Sequence, residues 1–362
     1  LVADVSTLGV RDDVPSVLAA CDVGVLASTR EGFPLALIEY GLAGLPVVAT
    51  RVGQIAEVTD GGRCARLVEP GDVRGMASAL VELLLDSHAR AALGAQFEAR
   101  VRRRYTADAV VPRVIEVYEA ALHGRGARTA TTLGRRILVV SSVVHHRDAG
   151  RVFGYTPYVR EIDAWSHLFG EVRIIGPLGD GEPPADTSPF ASANVTLAEL
   201  PTTGGDDLVA KLRQVALLPY LVARLAVEMW RADAIHVRAP SNLGVLALPL
   251  APLFTPRLHC KYAGMWGTFD GEPRSSRFQR RVLRSRWWRG PVSVYGRTES
   301  DPANILDAFS TALTAKQLER RRPRTGPEVR GPLRLLFVGR LVPTKNVDVV
   351  VEALAGACAE GV

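Results

Sequence analysis

The chain has 362 residues, long enough for two domains with sizeable cores. At 47% hydrophobic and 23% charged residues it is globular, which excludes a disordered or fibrous protein. A net charge of +6, from 44 Lys and Arg against 38 Asp and Glu, suggests an anionic ligand or surface without choosing among nucleic acid, nucleotide and lipid headgroup.

Cys21, Cys64, Cys260 and Cys358 lie far apart with no CxxC spacing, which suits a reducing cytosol and gives no metal site. The longest uncharged run, 239–256, carries four prolines and is too broken and slightly too short to span a membrane. No signal peptide is visible. The chain begins at Leu1, inside an apparent structural unit, as a fragment or a rearranged protein does.

Residues 4–9 read as a short strand, and Asp13 and Pro15 open a helix through Ala20. Residues 22–28 are a buried-strand pattern that delivers the chain to Glu31-Gly-Phe-Pro-Leu-Ala-Leu-Ile-Glu39. Pro34 suits the first position of a helix running to about Ala43, because its missing N–H costs nothing there. That helix is apolar nearly all round, so it should be buried, with Glu39 as its one charge. A buried carboxylate costs several kcal/mol unless paired, so Glu39 wants a partner such as ligand hydroxyls. Glu31 stands before the helix, where free N–H groups and the dipole favour anions. Such a loop suits a ligand that is part phosphate and part polyol.

Residues 45–50 form another strand, followed by a loop with Gly53 and Glu57. Strand and helix alternating in short steps means a parallel sheet covered on both faces, an α/β fold. Three helices follow over 72–86, 88–103 and 107–122, then a polar, Gly-rich linker at 123–134. A second Rossmann-like domain occupies 135–330. Its strands fall at 136–142, 172–175, 234–238, 257–262 and 292–295, with helices at 157–168, 206–231 (interrupted by Pro219) and 242–248. Residues 320–331 are again linker-like. A strand at 333–338, the loop Gly339-Arg-Leu-Val-Pro-Thr-Lys345 and a helix from Asn346 close the sequence.

With these pieces in view, the chain resembles the retaining GT-B glycosyltransferases that use nucleotide-sugar donors. The resemblance rests on Glu31 and Glu39 with seven residues between them, and on the strand followed by Gly339, Arg340 and Lys345. It implies a GT-B-like fold of two Rossmann-like domains. Residues 1–122 would be the later part of a donor domain, 135–330 the acceptor domain, and 331–362 the opening of a donor domain. It implies that Glu31 contacts the donor sugar and Glu39 the ribose, while Arg340 and Lys345 grip the diphosphate. Gly32, Phe33, Pro34, Leu35, Gly53, Glu57 and Gly339 would line the donor site, although Gln54 replaces a second glycine of the family's loop. The co-substrate would be a UDP- or GDP-sugar, with no other cofactor and no metal. The acceptor would be a glycan or a lipid-linked hydroxyl.

The order departs from the family, in which the acceptor domain comes first. Either 331–362 folds back onto 1–122, as in a circular permutant, or two neighbouring transferases are fused tail to head. Joining the ends omits the second strand of the donor sheet, which is expected to leave a gap in mid-sheet, so the fusion is preferred.

His145 and His146 follow the first strand of the second domain, at the carboxyl edge where open α/β sheets bind ligands. His145 is therefore a candidate for proton transfer with the acceptor, against a solvent-exposed pair as the plain alternative. His236 and Arg238 end a later strand at the same edge. Residues 274–290 carry seven arginines and no acid. On a helix, Arg277, Arg280, Arg281 and Arg284 share one face and Phe278, Val282, Leu283 and Trp287 another, which reads as a peripheral contact with the inner face of an anionic membrane, as a solvated basic face or as a phosphate-binding patch. No groove-reading or base-stacking module suggests nucleic acid. The rival functions are a non-catalytic fused fragment and another GT-B enzyme such as a sugar-nucleotide epimerase. A dehydrogenase is disfavoured because neither opening strand leads into a GxGxxG turn.

Overall fold

The computed structural model describes residues 5–9, 11, 13–123, 135–202, 208–269, 271–307, 332–339 and 341–359. The chain divides into two units, one of Leu1–Val110 with Ser310–Val362 and one of Val111–Phe309. Residues 124–134 and 308–331, read from the sequence as linkers in whole or part, lie outside the described residues, as does Arg340.

The first unit opens differently from expectation. Residues 5–9 are exposed and irregular rather than a strand, since the segment is half polar and ends in Gly9 at φ +65°. Helix α1 (Val14–Ala19), with Pro15 in its first turn, leads into strand β1 (Val23–Leu26), which is buried along its whole length. Helix α2 (Leu35–Leu42), strand β2 (Val47–Thr50), the short helix α3 (Ile55–Val58) and strand β3 (Arg66–Val68) follow. The sequence reading missed α3 and β3, both too short to show a period. Helices α4 (Val73–Leu85) and α5 (Ser87–Tyr105) come next, and α6 (Ala107–His123) begins in the first unit and has most of its length in the second. Asp72 and Asp86 cap α4 and α5 by accepting from the Gly75 and Ala89 N–H groups at 2.8 and 2.9 Å. Leu37, Ile38 and Leu42 of α2 pack with Phe97 and Val101 of α5 on one face of the sheet, and Met76, Leu80 and Leu83 of α4 cover the other.

The second unit is built on a seven-stranded parallel sheet in the order β13-β12-β11-β10-β4-β7-β9. Its strands are β4 (Arg136–Val140), β7 (Glu171–Pro177), β9 (Val195–Leu200), β10 (Ala234–Ala239), β11 (Leu258–Met265), β12 (Val292–Tyr295) and β13 (Ile305–Asp307). A small antiparallel sheet of β5 (His146–Asp148), β6 (Arg151–Tyr155) and β8 (Thr187–Pro189) was not foreseen. Helix α7 (Thr156–Ser166) packs on one face of the large sheet through Tyr158, Val159, Ile162 and Trp165. On the other face lie α8 (Leu208–Trp230), α9 (Asn242–Leu250) and α10 (Arg274–Arg284), which bury Leu221, Leu225, Met229, Leu243, Leu248 and Leu283. Helix α8 runs through Pro219 instead of breaking there. Pro219 is exposed, so the carbonyl it leaves without an N–H partner can turn to solvent.

The chain then returns to the first unit with β14 (Leu335–Phe337) and α11 (Val347–Ala359). Strand β14 pairs in parallel with β1, Val23 opposite Leu335 and Val25 opposite Phe337, giving the order β14-β1-β2-β3. The expected gap in mid-sheet is therefore absent. The backbone groups of β1 that a gap would have left open are taken by β14, which forms the edge of the sheet with its three residues half-buried. Val349, Val350 and Ala353 of α11 complete the core beneath α4. Both units are thus α/β with parallel sheets.

Candidate functional site

Strand β1 ends at the carboxyl edge of the first unit's sheet, where its continuation must turn into α2. Three polar contacts fix that turn. The Thr50 hydroxyl, at the end of β2, donates to the Ser28 carbonyl at 2.6 Å. The Ser28 hydroxyl donates to Glu31 Oε1 at 2.7 Å. The Lys345 ammonium pairs with the same Glu31 oxygen. Ser28 and Thr50 are fully buried and Glu31 is 8% exposed, so the pair sits in a part-desolvated recess where a charge-assisted hydrogen bond is stronger than in water.

The loop carrying Lys345 is held from both ends. The Thr29 N–H donates to the Thr344 carbonyl at 2.9 Å. Upstream, the Arg334 N–H donates to Asp22 Oδ2 at 2.9 Å and the Asp22 N–H to the Arg334 carbonyl at 2.8 Å. Between them the Tyr40 hydroxyl accepts from the Val338 N–H at 2.7 Å, and the Leu336 carbonyl lies 3.2 Å away. Burial pushes the Tyr40 pKa upward, so the phenol stays protonated and can donate as well as accept. Gly339 is exposed, and a Cβ there would come within 3.8 Å of the Lys345 stem, which places it beside that side chain.

Gly53 has its own reason to be glycine. It adopts φ +51°, and a Cβ on it would sit 1.8 Å from the Glu31 carbonyl oxygen. Its backbone therefore presses directly on the Glu31 turn, a contact no other residue permits.

Helix α2 departs from expectation in two respects. Pro34 precedes the helix, at φ −82° and ψ 91°, and its carbonyl accepts from the Leu37 and Ile38 N–H groups at 3.1 and 3.3 Å. The helix is also not buried all round. Gly32, Leu35, Ala36 and Glu39, spaced at helical intervals, form a half-buried strip, while Leu37, Ile38, Tyr40 and Leu42 are inside. Glu39 is thus a half-buried carboxylate on the open side of the helix, in line with the N-terminal turn. Phe33 meets Tyr105 of α5 with ring centroids 5.7 Å apart. Glu57 is exposed on α3, and its carbonyl accepts from Arg100 Nη2 at 2.5 Å. Arg100 is itself buried and also reaches the Val58 carbonyl at 2.8 Å and Asp60 at 2.9 Å, which anchors the end of α3.

Residues 1–86 match the family model described as glycosyl transferases group 1. The matched stretch holds Glu31, Glu39, Gly53 and Glu57, and Gly339 and Lys345 lie outside it. The chain is also 33% identical over 111 residues to an N-acetyl-alpha-D-glucosaminyl L-malate synthase of Bacillus anthracis, covering 31% of this chain and 29% of that protein. It is 33% identical over 112 residues to an MMP alpha-(1->4)-mannosyltransferase of Mycolicibacterium hassiacum, covering 31% of this chain and 27% of the relative. A phosphatidyl-myo-inositol mannosyltransferase of Mycolicibacterium smegmatis is 34% identical over 115 residues, covering 31% of this chain and 30% of the relative. The matches span less than a third of the length of each of these relatives.

The structure thus gathers Glu31, Gly53, Gly339 and Lys345 around one turn and sets Gly32, Leu35 and Glu39 on the adjoining strip. Ser28, Thr50, Asp22 and Tyr40 were missed by sequence reasoning. Thr50 closes the buried strand β2 and Ser28 follows β1 by two residues, both at the carboxyl edge of the sheet, a position that marks them in hindsight.

In the second unit His145 is neither exposed nor open to an acceptor. It is fully buried, with Nδ1 3.3 Å from the Pro177 carbonyl and Nε2 3.3 Å from the Tyr158 hydroxyl. Burial lowers its pKa to about 4, so it stays neutral, a packed core histidine in place of the expected proton carrier. His236 likewise lies in the core, with Nδ1 2.8 Å from His259 Nδ1. Arg238 and Lys261, neighbours on β10 and β11, pair with Glu161 at 3.0 and 2.8 Å. At the carboxyl edge, a crevice lies among Ser142, Val144, Pro177, Pro201, Asn242 and Leu243. It flanks the junction of β4 and β10, where the strand order reverses, which is where open parallel sheets place ligands.

Proposed function

We propose that the chain transfers a sugar from a nucleotide-diphosphate donor to a hydroxyl acceptor, with retention and without a metal. The observation that carries this reading is the Glu31–Lys345 pair at the mouth of α2, inside a unit whose first 86 residues match the group 1 transferase model. Breaking the bond between the sugar and the diphosphate puts negative charge on the leaving oxygen. Lys345 supplies a cation and the first turn of α2 supplies N–H donors and a positive dipole end, so that charge is met by groups already in place. Glu31 positions the ammonium and accepts from a donor-sugar hydroxyl, and Glu39, on the open strip, accepts from the ribose. Arg340 is the expected second phosphate ligand. The acceptor, a glycan or a lipid-linked hydroxyl, enters the crevice at Ser142 and Asn242, and 274–290 makes a peripheral contact with the inner face of a membrane.

Calorimetric titration with UDP and GDP tests the site. One of the two should bind, and Glu39→Ala should weaken it by about tenfold, the loss of one good hydrogen-bonded contact. Binding indifferent to Glu39→Ala would remove Glu39 from the site, and no binding of either nucleotide would remove the transferase reading.

A further inference from the structure

The helix layer α8–α9–α10 has an outer surface unlike that of an ordinary soluble domain. Its inner side is spent on the core, so its outward side should be polar. On α8 it is not. Val215, Pro219, Tyr220, Ala223, Val227 and Trp230 are all exposed and fall on the side opposite buried Leu221 and Leu225. Trp230 is 79% exposed. Glu228, the one acid between Leu208 and Trp230, is turned inward, where it pairs with Arg136 at 2.9 Å.

The neighbouring elements continue this surface. Leu253, just after α9, is 64% exposed, and Trp287, just after α10, is 49% exposed with its indole N–H on the Pro249 carbonyl at 3.0 Å. Helix α10 then adds charge. Arg280 is buried and held by Glu272 at 2.7 Å, which corrects the four-arginine face read from the sequence, and the exposed Arg284 is paired with Asp301 at 2.8 Å. Arg274, Arg277, Arg281, Arg286 and Arg289 remain exposed and make no ion pair among the described residues. Phe278 is exposed among them.

We propose that the outer face of α8, α9 and α10 is a docking surface for an anionic lipid bilayer, with the α8 stripe, Leu253 and Trp287 entering the headgroup region and the five arginines meeting lipid phosphate. This deepens the peripheral contact suggested above and rests on that reading only for its biological use. Charge decides the occupant. A second copy docking by a twofold axis would bring like arginine clusters together, and a nucleic acid would leave the α8 stripe without a partner. An apolar stripe with exposed Trp and Tyr beside arginines that make no ion pair among the described residues has both parts matched by a bilayer interface. Among the described residues no helix is long and apolar enough to cross a membrane.

The test uses the whole chain and vesicle flotation. Phosphatidylcholine vesicles should bind little. Vesicles with about one part phosphatidylglycerol to three of phosphatidylcholine should bind it, with the tryptophan emission shifting to the blue and binding weakening as salt rises. Arg277→Gln with Arg281→Gln should cost about fivefold per arginine. Val227→Asn with Trp230→Ser should reduce binding at all salt concentrations, because it removes insertion and no charge. All four positions are exposed, so circular dichroism should be unchanged. No binding to the anionic vesicles at low salt, or binding that ignores both variants, overturns the proposal. So does a wild-type dimer that the Val227 and Trp230 changes dissociate, since that assigns the stripe to a second copy. Nucleotide titration on the same samples separates the two readings: UDP or GDP binding that persists while vesicle binding fails sinks only the docking surface.

Discussion

The Tyr40 hydroxyl and the Val338 N–H, 298 positions apart in the chain, form a hydrogen bond of 2.7 Å. Tyr40 can reach it because its ring lies across Gly24 of β1, where a Cβ would come within 2.7 Å of the ring. One phenol therefore stitches α2, β1 and the segment that carries Lys345. Tyr40→Phe keeps the ring and leaves the Val338 N–H without its acceptor, which should cost about 1–2 kcal/mol in urea unfolding. Gly24→Ala forces the ring away and should cost about 1–3 kcal/mol. Stability unchanged in Tyr40→Phe would show that the hydroxyl contributes nothing to that junction.

Gly53 offers a sharper test of the Glu31 turn. Gly53→Ala combines a strained φ with a Cβ 1.8 Å from the Glu31 carbonyl oxygen, so the turn must move. The expected outcome is a loss of more than about 1 kcal/mol together with weaker nucleotide binding, because Glu31 and its lysine move with the turn. Gly61→Ala is the control. Gly61 also has positive φ, +72°, but open space around its Cβ, so it should cost stability without touching the site. Equal effects of the two on nucleotide binding would refute the link between Gly53 and Glu31.

Much of this was legible in the sequence for physical reasons. The uniform hydrophobicity of 22–28 and 45–50 marks strands buried on both faces, and Asp72 marks a helix start. Edge placement was not legible. Nothing local to Leu335–Phe337 says whether it pairs with β1 or stands a strand away, because parallel pairing is a long-range choice, and the inference of a central gap failed there. His145 failed for a related reason. Its position after a strand suggested the sheet edge, but Tyr158 and Phe190, which enclose it, come from distant parts of the chain. Glu31 beside Lys345 followed only from the less favoured account, in which 331–362 folds back onto 1–122, since no local pattern joins residues at opposite ends of a chain.

The buried histidines make stability depend on pH in one direction. Burial lowers His145 to about 4 and His259 to about 3, and lowers His236 well below 6.5. Unfolded, each takes a proton near 6.5, so below that pH the unfolded chain binds more protons than the folded one. Stability should be flat in these groups above about pH 7 and fall as pH drops from 6.5 towards 4, by up to about 1.4 kcal/mol per histidine for each pH unit inside its window. Glu161 acts in the same sense at lower pH. Burial alone would raise it, but Arg238 and Lys261 bring it to about 2, so its contribution is present above about 4.5 and is lost on the way down. Urea midpoints across this range check the slope, and a midpoint constant between pH 7 and about 5 would contradict neutral buried imidazoles.

Lys345 and Glu31 allow the proposed chemistry to be separated into its parts. Lys345→Ala removes the cation offered to the diphosphate and leaves Glu31 with Ser28, whose bond at 2.7 Å still holds the carboxylate. Affinity for the free nucleoside diphosphate should fall by about tenfold or more, and its salt dependence should weaken, since one charge contact has gone. Glu31→Gln keeps an acceptor for the Ser28 hydroxyl and loses the charge that holds the ammonium. If Glu31 also binds the sugar, Glu31→Gln should weaken the complete nucleotide-sugar more than the nucleoside diphosphate, whereas Lys345→Ala should weaken both alike. A carboxylate that serves only to anchor the lysine would make the two variants indistinguishable across the two ligands, so the comparison decides whether Glu31 touches donor sugar or acts through Lys345 alone.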